Sequence, residues 1–346
     1  MKVLLDTSPL ADANALRGVG MYTRSLAEYL EKEENIKVKR SGDKDKDFQP
    51  DLIHYPFFDL FISTLPLVKS KPTVVTIHDV IPLLYPKQYE PGLKGTIKLK
   101  KQKLALNTVK AVITDSKTSK RDIHQHLGVP IDKIHVVYLA ANPKLKKPEK
   151  KIVNKVIKKY QLPEKYILYV GDINYNKNLP QLIKSLRFLP EKIKLVLVGK
   201  NFKEQNIPEW RWVKAQVTMS EVEKRVIYLN EILGDADQEL SAIYAQAEVY
   251  VQPSLYEGFG LPVLEAMQCK TPVVSSNQGS LPEVGGAFAL YTQPEAEKMA
   301  QRVEEILKWD TKKRKQAIKN AYNWSQIFSW KKTVQATIKV YEQILS

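Results

Sequence analysis

Apolar residues fall along this 346-residue chain in short unbroken runs separated by amphipathic stretches. The first run, Val3 to Leu5, leads through Arg17-Gly-Val-Gly20 into a helical spacing of apolar positions from Tyr22 to Leu30. That order predicts strand, glycine loop and helix. Leu52 to His54, Thr73 to Ile77, Ala111 to Thr114 and His135 to Tyr138 repeat the alternation, as parallel strands joined by crossover helices do. A second series follows Asn142-Pro143: Tyr166 to Gly171, Lys194 to Gly199, Arg225 to Leu229, Val249 to Gln252 and Pro272 to Ser275. Two of its runs, YILYVG and KLVLVG, end in glycine, which suits a chain leaving a buried strand for a tight loop over its carboxyl end, where open α/β sheets bind ligands.

The pattern therefore predicts an α/β protein with two doubly wound parallel sheets, one in residues 1–150 and one in 151–325. The length agrees, because single cores seldom organise more than about 250 to 300 residues. From Trp324 to Ser346 the apolar positions Trp324, Phe328, Trp330, Val334, Ile338, Tyr341 and Ile344 keep helical spacing with no further strand. This predicts one packing helix, a terminal element assigned to 326–346.

Charge changes the picture in one respect. The excess of 54 basic over 38 acidic side chains is uneven, with eight lysines and one acid between Lys144 and Lys159. A second group, Lys94, Lys98, Lys100, Lys101 and Lys103, interleaves with Leu93, Ile97 and Leu99. Such stretches are either solvated surface or a face for a polyanion, an anionic membrane or nucleic acid, and the apolar interleaving of the second motivates a membrane contact. The opening MKVLLDTSPL lacks the features of a signal peptide and no apolar run reaches a membrane span, so a cytoplasmic protein, peripheral at the inner membrane face, is expected. Cys269 is the only cysteine, which rules out an internal disulfide and multi-thiolate metal sites.

The chemistry concentrates in Pro253-Ser-Leu-Tyr-Glu257-Gly258-Phe259-Gly260-Leu261-Pro262-Val-Leu-Glu265-Ala-Met267, directly after a buried strand. Gly258 and Gly260 allow a ligand close to the backbone, Pro262 fits a first helical turn, and the N–H groups there favour phosphate. Glu265, about one turn into the helix, can accept two hydroxyl hydrogen bonds and suits a ribose, which leaves Glu257 towards a sugar. Lys177 and Asn178 close the loop Gly171-Asp-Ile-Asn-Tyr-Asn-Lys177-Asn178, where an ammonium would stabilise a departing diphosphate. His78 ends a strand of the first half; a lone histidine there is more often structural, and the adjacent Asp79 strengthens the functional reading.

Together these pieces resemble the retaining glycosyltransferases of family 4, which have the GT-B architecture of two Rossmann-like domains facing across a cleft. Glu257 and Glu265 match the E-x7-E motif of that family, and RGVGMYTRSL, TIHDVIPLLYP, the Lys177-Asn178 loop and LPEV at 281 to 284 resemble its bacterial mannosyltransferase-like members. The resemblance implies a C-terminal helix crossing back to the N-terminal domain. It also implies that Gly18 contacts donor phosphate, that Lys177 and Asn178 bind the diphosphate, and that Glu265 holds the ribose. Glu257 and the amides of Gly258, Phe259, Gly260 and Leu261 would contact the donor sugar and phosphate, and His78 the transferred sugar. The implied donor is a nucleotide-sugar, GDP-mannose before UDP-glucose, and the acceptor a glycan or lipid-linked hydroxyl, with domain closure excluding water.

Two departures stand out. Asp172 and Asn176 occupy positions where the family often has arginines, and Lys270 replaces the glycine of its C-G-T-P turn. Asp43-Lys-Asp45 and Asp235-Ala-Asp237 formally match D-x-D, but their contexts read as a charged loop and a helix start, so neither a metal nor any other cofactor is expected. An epimerase of the same architecture and a basic binding module without turnover are the alternatives.

Overall fold

A computed structural model describes residues 1–11, 15, 18–43, 47–232 and 236–346. The chain forms two compact units, Met1–Ala140 with Phe328–Ser346, and Ala141–Ile327.

In the first unit, β1 (Lys2–Leu5), β2 (Lys37–Arg40), β3 (Leu52–Tyr55), β4 (Thr73–Thr76), β5 (Ala111–Thr114) and β6 (Ile134–Val136) form a six-stranded sheet in the order β2-β1-β3-β4-β5-β6. Every pairing is parallel. TVVT of β4 and AVIT of β5 are buried along their whole length, because helices cover both faces of a parallel sheet. The edge strand β2 has the sequence KVKR; with charges at alternate positions it carries no apolar run, and the sequence pattern passes over it. The expected strand His135 to Tyr138 is displaced: β6 ends at Val136, and the chain beyond it turns away after the Val137 N–H bonds Thr114 O.

Gly18 and Gly20 lie in the first turn of helix α1 (Gly18–Leu30) rather than in a glycine loop. Arg17 falls outside the described residues. Helix α3 (Gly92–Leu106) carries the second lysine group, and Leu93, Ile97 and Leu104 on it are 80%, 59% and 62% exposed. Leu99, expected beside them, packs instead against the core.

The single terminal helix expected from Trp324 to Ser346 is two. Helix α12 (Thr311–Ser325) ends in the second unit, where the Trp324 indole donates to Val284 O at 2.7 Å. Helix α13 (Trp330–Leu345) begins afresh at Ser329, whose hydroxyl caps it by accepting from the Lys332 N–H. Phe328, between them, packs edge-on to Tyr138. The buried face of α13 is Trp330, Thr333, Val334, Thr337, Val340 and Tyr341, a stripe with two threonines that apolar spacing alone does not reveal; Ile338 and Ile344 are only half-buried. This face lies against α1. At its far end the Tyr341 hydroxyl meets His54 Nδ1 at 2.6 Å, His54 Nε2 meets Thr76 Oγ1 at 2.8 Å, and Thr76 Oγ1 meets the Tyr22 hydroxyl at 2.9 Å. Burial, helped by His78, pushes His54 down to about 3, so its ring is neutral within this chain of hydrogen bonds.

In the second unit, β7 (Tyr166–Val170), β8 (Lys194–Val198), β9 (Val226–Leu229), β10 (Val249–Gln252), β11 (Val273–Ser276) and β12 (Leu290–Thr292) are ordered β12-β11-β10-β7-β8-β9, again all parallel. Its core is one cluster built around Ile167, Leu195, Leu197 and Val251. Residues 142–146 belong to this unit, although the sequence pattern places the boundary at 150: the Asn142 amide donates to Asp237, the Gln268 amide donates to Asn142 O, and the Lys146 N–H donates to Ser241 Oγ. The expected strand starts at Arg225 and Pro272 each move by one residue; Arg225 closes a 3-10 turn with its guanidinium on the carbonyls of Leu189, Pro190 and Ile193.

Lys270 adopts a left-handed backbone (φ 65°), the conformation that a glycine takes without strain. Its ammonium lies 5.0 Å from the centre of the Tyr322 ring, a cation–π contact that offsets part of the backbone cost. Cys269 is buried and unbonded to any other cysteine.

Removing the Tyr341 hydroxyl leaves His54 Nδ1 buried without its partner. Tyr341→Phe is therefore expected to lower unfolding free energy by about 1 to 3 kcal/mol, read as a fall in Tm; an unchanged Tm would show that α13 is held by its apolar face alone.

Candidate active site

In the second sheet the strand order reverses between β7 and β10. In an open parallel sheet, the loops leaving the carboxyl ends of two such strands run in opposite directions and open a crevice between them. The loop after β7 carries Lys177 and Asn178, and the loop after β10 carries Glu257. Topology thus brings together residues eighty positions apart.

Lys177 and Glu257 are directly bonded: Nζ lies 2.8 Å from Oε1 and 2.9 Å from Oε2. Glu257 is 7% exposed, so its charge needs compensation from more than one donor. Oε1 also accepts from Ser254 Oγ at 2.6 Å and Gln252 Nε2 at 3.0 Å. Gln252 Nε2 in turn donates to Ser254 Oγ, and Tyr250 donates its hydroxyl to Gln252 Oε1. Gln252 and Ser254 were not singled out in the sequence, although a buried strand ending in glutamine was a usable signal.

The loop is closed from the next strand. Ser280 Oγ donates to the carbonyls of Glu257 and Phe259. Gly279 (φ 59°) leaves room for this contact, since a Cβ there would lie 2.7 Å from Glu257 O. Gly260 (φ 103°) caps α9 (Leu261–Gln268) with Pro262 in its first turn, and a Cβ on it would lie 2.7 Å from Leu281. Gly258, Phe259 and Gly260 are buried and Leu261 is half-buried. Glu265 stands one turn into α9, where its Oε2 accepts the Tyr244 hydroxyl at 2.9 Å. Burial pushes its carboxyl up to about 7, against the Tyr244 hydrogen bond and with the charge of Asp237 adding to the rise.

The positions that lack arginine serve the loop itself. The Asn176 amide donates to Tyr256 O and its carbonyl oxygen on the backbone accepts from the Leu255 N–H. Asp172 Oδ1 accepts from the Ile173 N–H and the Asn201 amide. Asn178, expected on the donor, has a left-handed backbone (φ 55°) and gives its amide hydrogens to Pro253 O and Pro294 O. A cavity of about 510 Å³ shares Asn178 with this site and is otherwise lined by residues such as Tyr175, Glu209, Trp212 and Glu295, none of them among the two glutamates and the lysine.

In the first unit, Gly18 opens α1, and among the described residues beyond its own helix none comes within 4 Å of a Cβ built there. His78 lies just beyond β4, and its Nδ1 is 2.7 Å from Asp115 Oδ2. The neighbouring Asp79 instead accepts from the Ile81 N–H. Asp115 was missed because it is 37 residues from His78 in sequence.

Asp45 and Asp235 of the two D-x-D matches lie outside the described residues. Asp43 accepts from the Arg40 N–H, and Asp237 accepts from Asn142 and pairs with Lys144. Among the described residues, no three His, Cys, Asp or Glu side chains cluster so as to hold a metal, and no helix is long and apolar enough to cross a membrane.

Two parallel six-stranded sheets with flanking helices give the chain the GT-B fold. The chain belongs to the family Glycosyl transferases group 1, whose model matches residues 151–324, and residues 38–145 match the model of Glycosyltransferase Family 4. O-antigen chain mannosyltransferase B of Escherichia coli is 31% identical over 275 residues, covering 78% of this chain and 70% of that protein. O-antigen chain mannosyltransferase RfbU of Salmonella typhimurium is 30% identical over 238 residues, covering 68% of this chain and 60% of that protein. In fold, the chain matches sucrose-phosphate synthase from Thermosynechococcus elongatus with a TM-score of 0.75 at 22% identity, over 99% of this chain and 98% of that one.

Proposed function

We propose that the protein transfers mannose from GDP-mannose to a hydroxyl of a glycan or lipid-linked acceptor, with retention at the anomeric carbon and without a metal. The observation that carries this reading is the Lys177–Glu257 pair beside the start of α9. An ammonium has three N–H donors and Glu257 engages it through both carboxylate oxygens, so a donor remains for a phosphate oxygen. As the bond from C1 to the diphosphate breaks, negative charge grows on the leaving phosphate, where Lys177 and the α9 amides stabilise it. The acceptor oxygen bonds C1 on the same face, and its proton passes to the departing phosphate. Glu257 then faces the sugar, Glu265 the ribose hydroxyls, Gly18 a donor phosphate and His78 the transferred sugar. The mannosyltransferase names of the two relatives support the choice of sugar.

The face of α3 supports an acceptor at the membrane. Its exposed Leu93, Ile97 and Leu104, with Lys94, Lys98, Lys100, Lys101 and Lys103 on the same helix, suit an anionic bilayer, where apolar side chains enter the interface and lysines meet headgroups.

Turnover of GDP-mannose measured beside UDP-glucose, with the product anomer read by NMR, tests the reaction. Lys177→Ala is expected to lower kcat about a hundredfold; a preference for UDP-glucose, an inverted product, donor consumption without an acceptor, or wild-type turnover in the variant would each overturn the corresponding part. The Glu265 carboxyl gives a pH dependence. Ribose hydroxyls donate to the ionised form, so below about pH 7 the group must lose a proton on binding and affinity falls. From pH 7.5 to 6 the Kd for an intact nucleotide-sugar is expected to rise about eightfold, a slope that Glu265→Gln removes; an equal slope in both proteins would refute the ribose assignment. Sedimentation with vesicles rich in phosphatidylglycerol is expected to carry the protein down at low salt, and Leu93→Ser/Ile97→Ser to abolish this; no sedimentation of the wild type would reject the membrane reading.

A further inference from the structure

His78 is hydrogen-bonded through only one of its two ring nitrogens among the described residues. Nδ1 is occupied by Asp115 at 2.7 Å, whereas Nε2 is buried and meets no hydrogen-bond partner among the described residues. The Pro56 carbonyl lies close enough to favour a protonated ring, but not in hydrogen-bond geometry with Nε2. An unmet buried nitrogen is costly in a finished core and ordinary at a site completed by a ligand.

The ring is fixed from two sides. Asp115 joins β5 to α4 (Lys117–Leu127), whose first turn is capped by the Ser116 hydroxyl accepting from the Ser119 N–H at 2.9 Å. The carboxylate therefore projects from a short junction between two rigid elements. On the ring's face, Tyr22 stands edge-on at a centroid distance of 4.8 Å and 87°, with its own hydroxyl tied to Thr76. Among the described charged and titratable groups facing the ring are Asp115, the adjacent Asp79, neutral His54 on β3 and Tyr22 on α1. Burial works against the charged ring, and the Asp115 carboxylate more than reverses it, which leaves His78 above its ordinary value.

We propose that Asp115 is the positioning residue for His78: its carboxylate accepts the Nδ1 proton, fixes the ring, and commits Nε2 to a hydroxyl or ring oxygen of the sugar substrate. The proposal rests on the reading that His78 touches that sugar. In the neutral ring Nε2 accepts, and in the imidazolium it donates, so the sugar group that suits it changes with protonation. An aspartate that holds a histidine in this way sets both its tautomer and its basicity.

The test uses the full chain with 15N-labelled histidine, the His78 signal being assigned by its loss in His78→Gln. In the wild type the neutral ring is expected to carry its proton on Nδ1. Asp115→Asn is expected to lower the His78 titration midpoint, shift the neutral ring towards the Nε2–H form, and cut kcat about tenfold to a hundredfold with donor KM changed less than about threefold. The pH profile of kcat should move with the titration. Added to His78→Gln, the substitution is expected to cost nothing further, since residues that act through one another are not additive. A wild-type ring protonated on Nε2 overturns the proposal, and this outcome needs no variant to fold. An Asp115→Asn effect that multiplies that of His78→Gln, or that leaves the His78 titration unmoved, overturns it by marking Asp115 as structural. Wild-type turnover in His78→Gln would instead remove the reading of His78 on which the proposal stands, and the proposal with it.

Discussion

The second unit is organised around one buried negative charge. Glu257 sits at the reversal point of a parallel sheet, 7% exposed, where a carboxylate without partners is costly. Three neighbours bond it: the Lys177 ammonium, the Ser254 hydroxyl and the Gln252 amide. Each arrives from a backbone position set by the sheet, Gln252 from the last residue of β10 and Lys177 from the turn after β7. Removing either member of such a pair strands the other, typically at about 3 to 5 kcal/mol, so the loop geometry and the charge sustain each other.

The same constraint explains the missing arginines. A guanidinium at Asp172 or Asn176 would add positive charge, but both side chains here tie the loop to Ile173, Asn201 and Tyr256. Asn178 likewise spends its amide on Pro253 and Pro294. The loop is thus braced by side-chain hydrogen bonds and presents a single cation, already aligned by Glu257. Such alignment before a ligand arrives is what electrostatic stabilisation of a leaving group requires.

In the first unit the polar interior is neutral rather than ionic along one line. Tyr341, His54, Thr76 and Tyr22 connect the last helix to the start of α1 through the sheet, and burial keeps His54 uncharged. Beside that line, Tyr22 also bounds the ring of His78. The terminal helix thus reaches the histidine's surroundings through shared hydrogen bonds, while on the same buried stripe Thr333 donates to the Tyr138 and Ser329 carbonyls and Thr337 to the Thr333 carbonyl.

Much of this was legible in the chain itself, because parallel strands buried on both faces must be written as apolar runs, and ten of the twelve strands among the described residues were visible as such. The exceptions are the charged edge strand β2, which buries no residue, and the three-residue β12, whose one buried residue is Thr292. Glycine at 260 and the glutamates at 257 and 265 were equally plain, since a turn with positive φ and a helix start have fixed local demands. What no local pattern could supply was partnership. That Lys177 bonds Glu257, that Tyr244 bonds Glu265, that Asp115 rather than the adjacent Asp79 holds His78, and that the final helix breaks between Ser325 and Trp330 all depend on strand order and on contacts across tens of residues. Hydrophobic spacing fixes which segments are buried; only the folded sheet decides which buried polar groups meet.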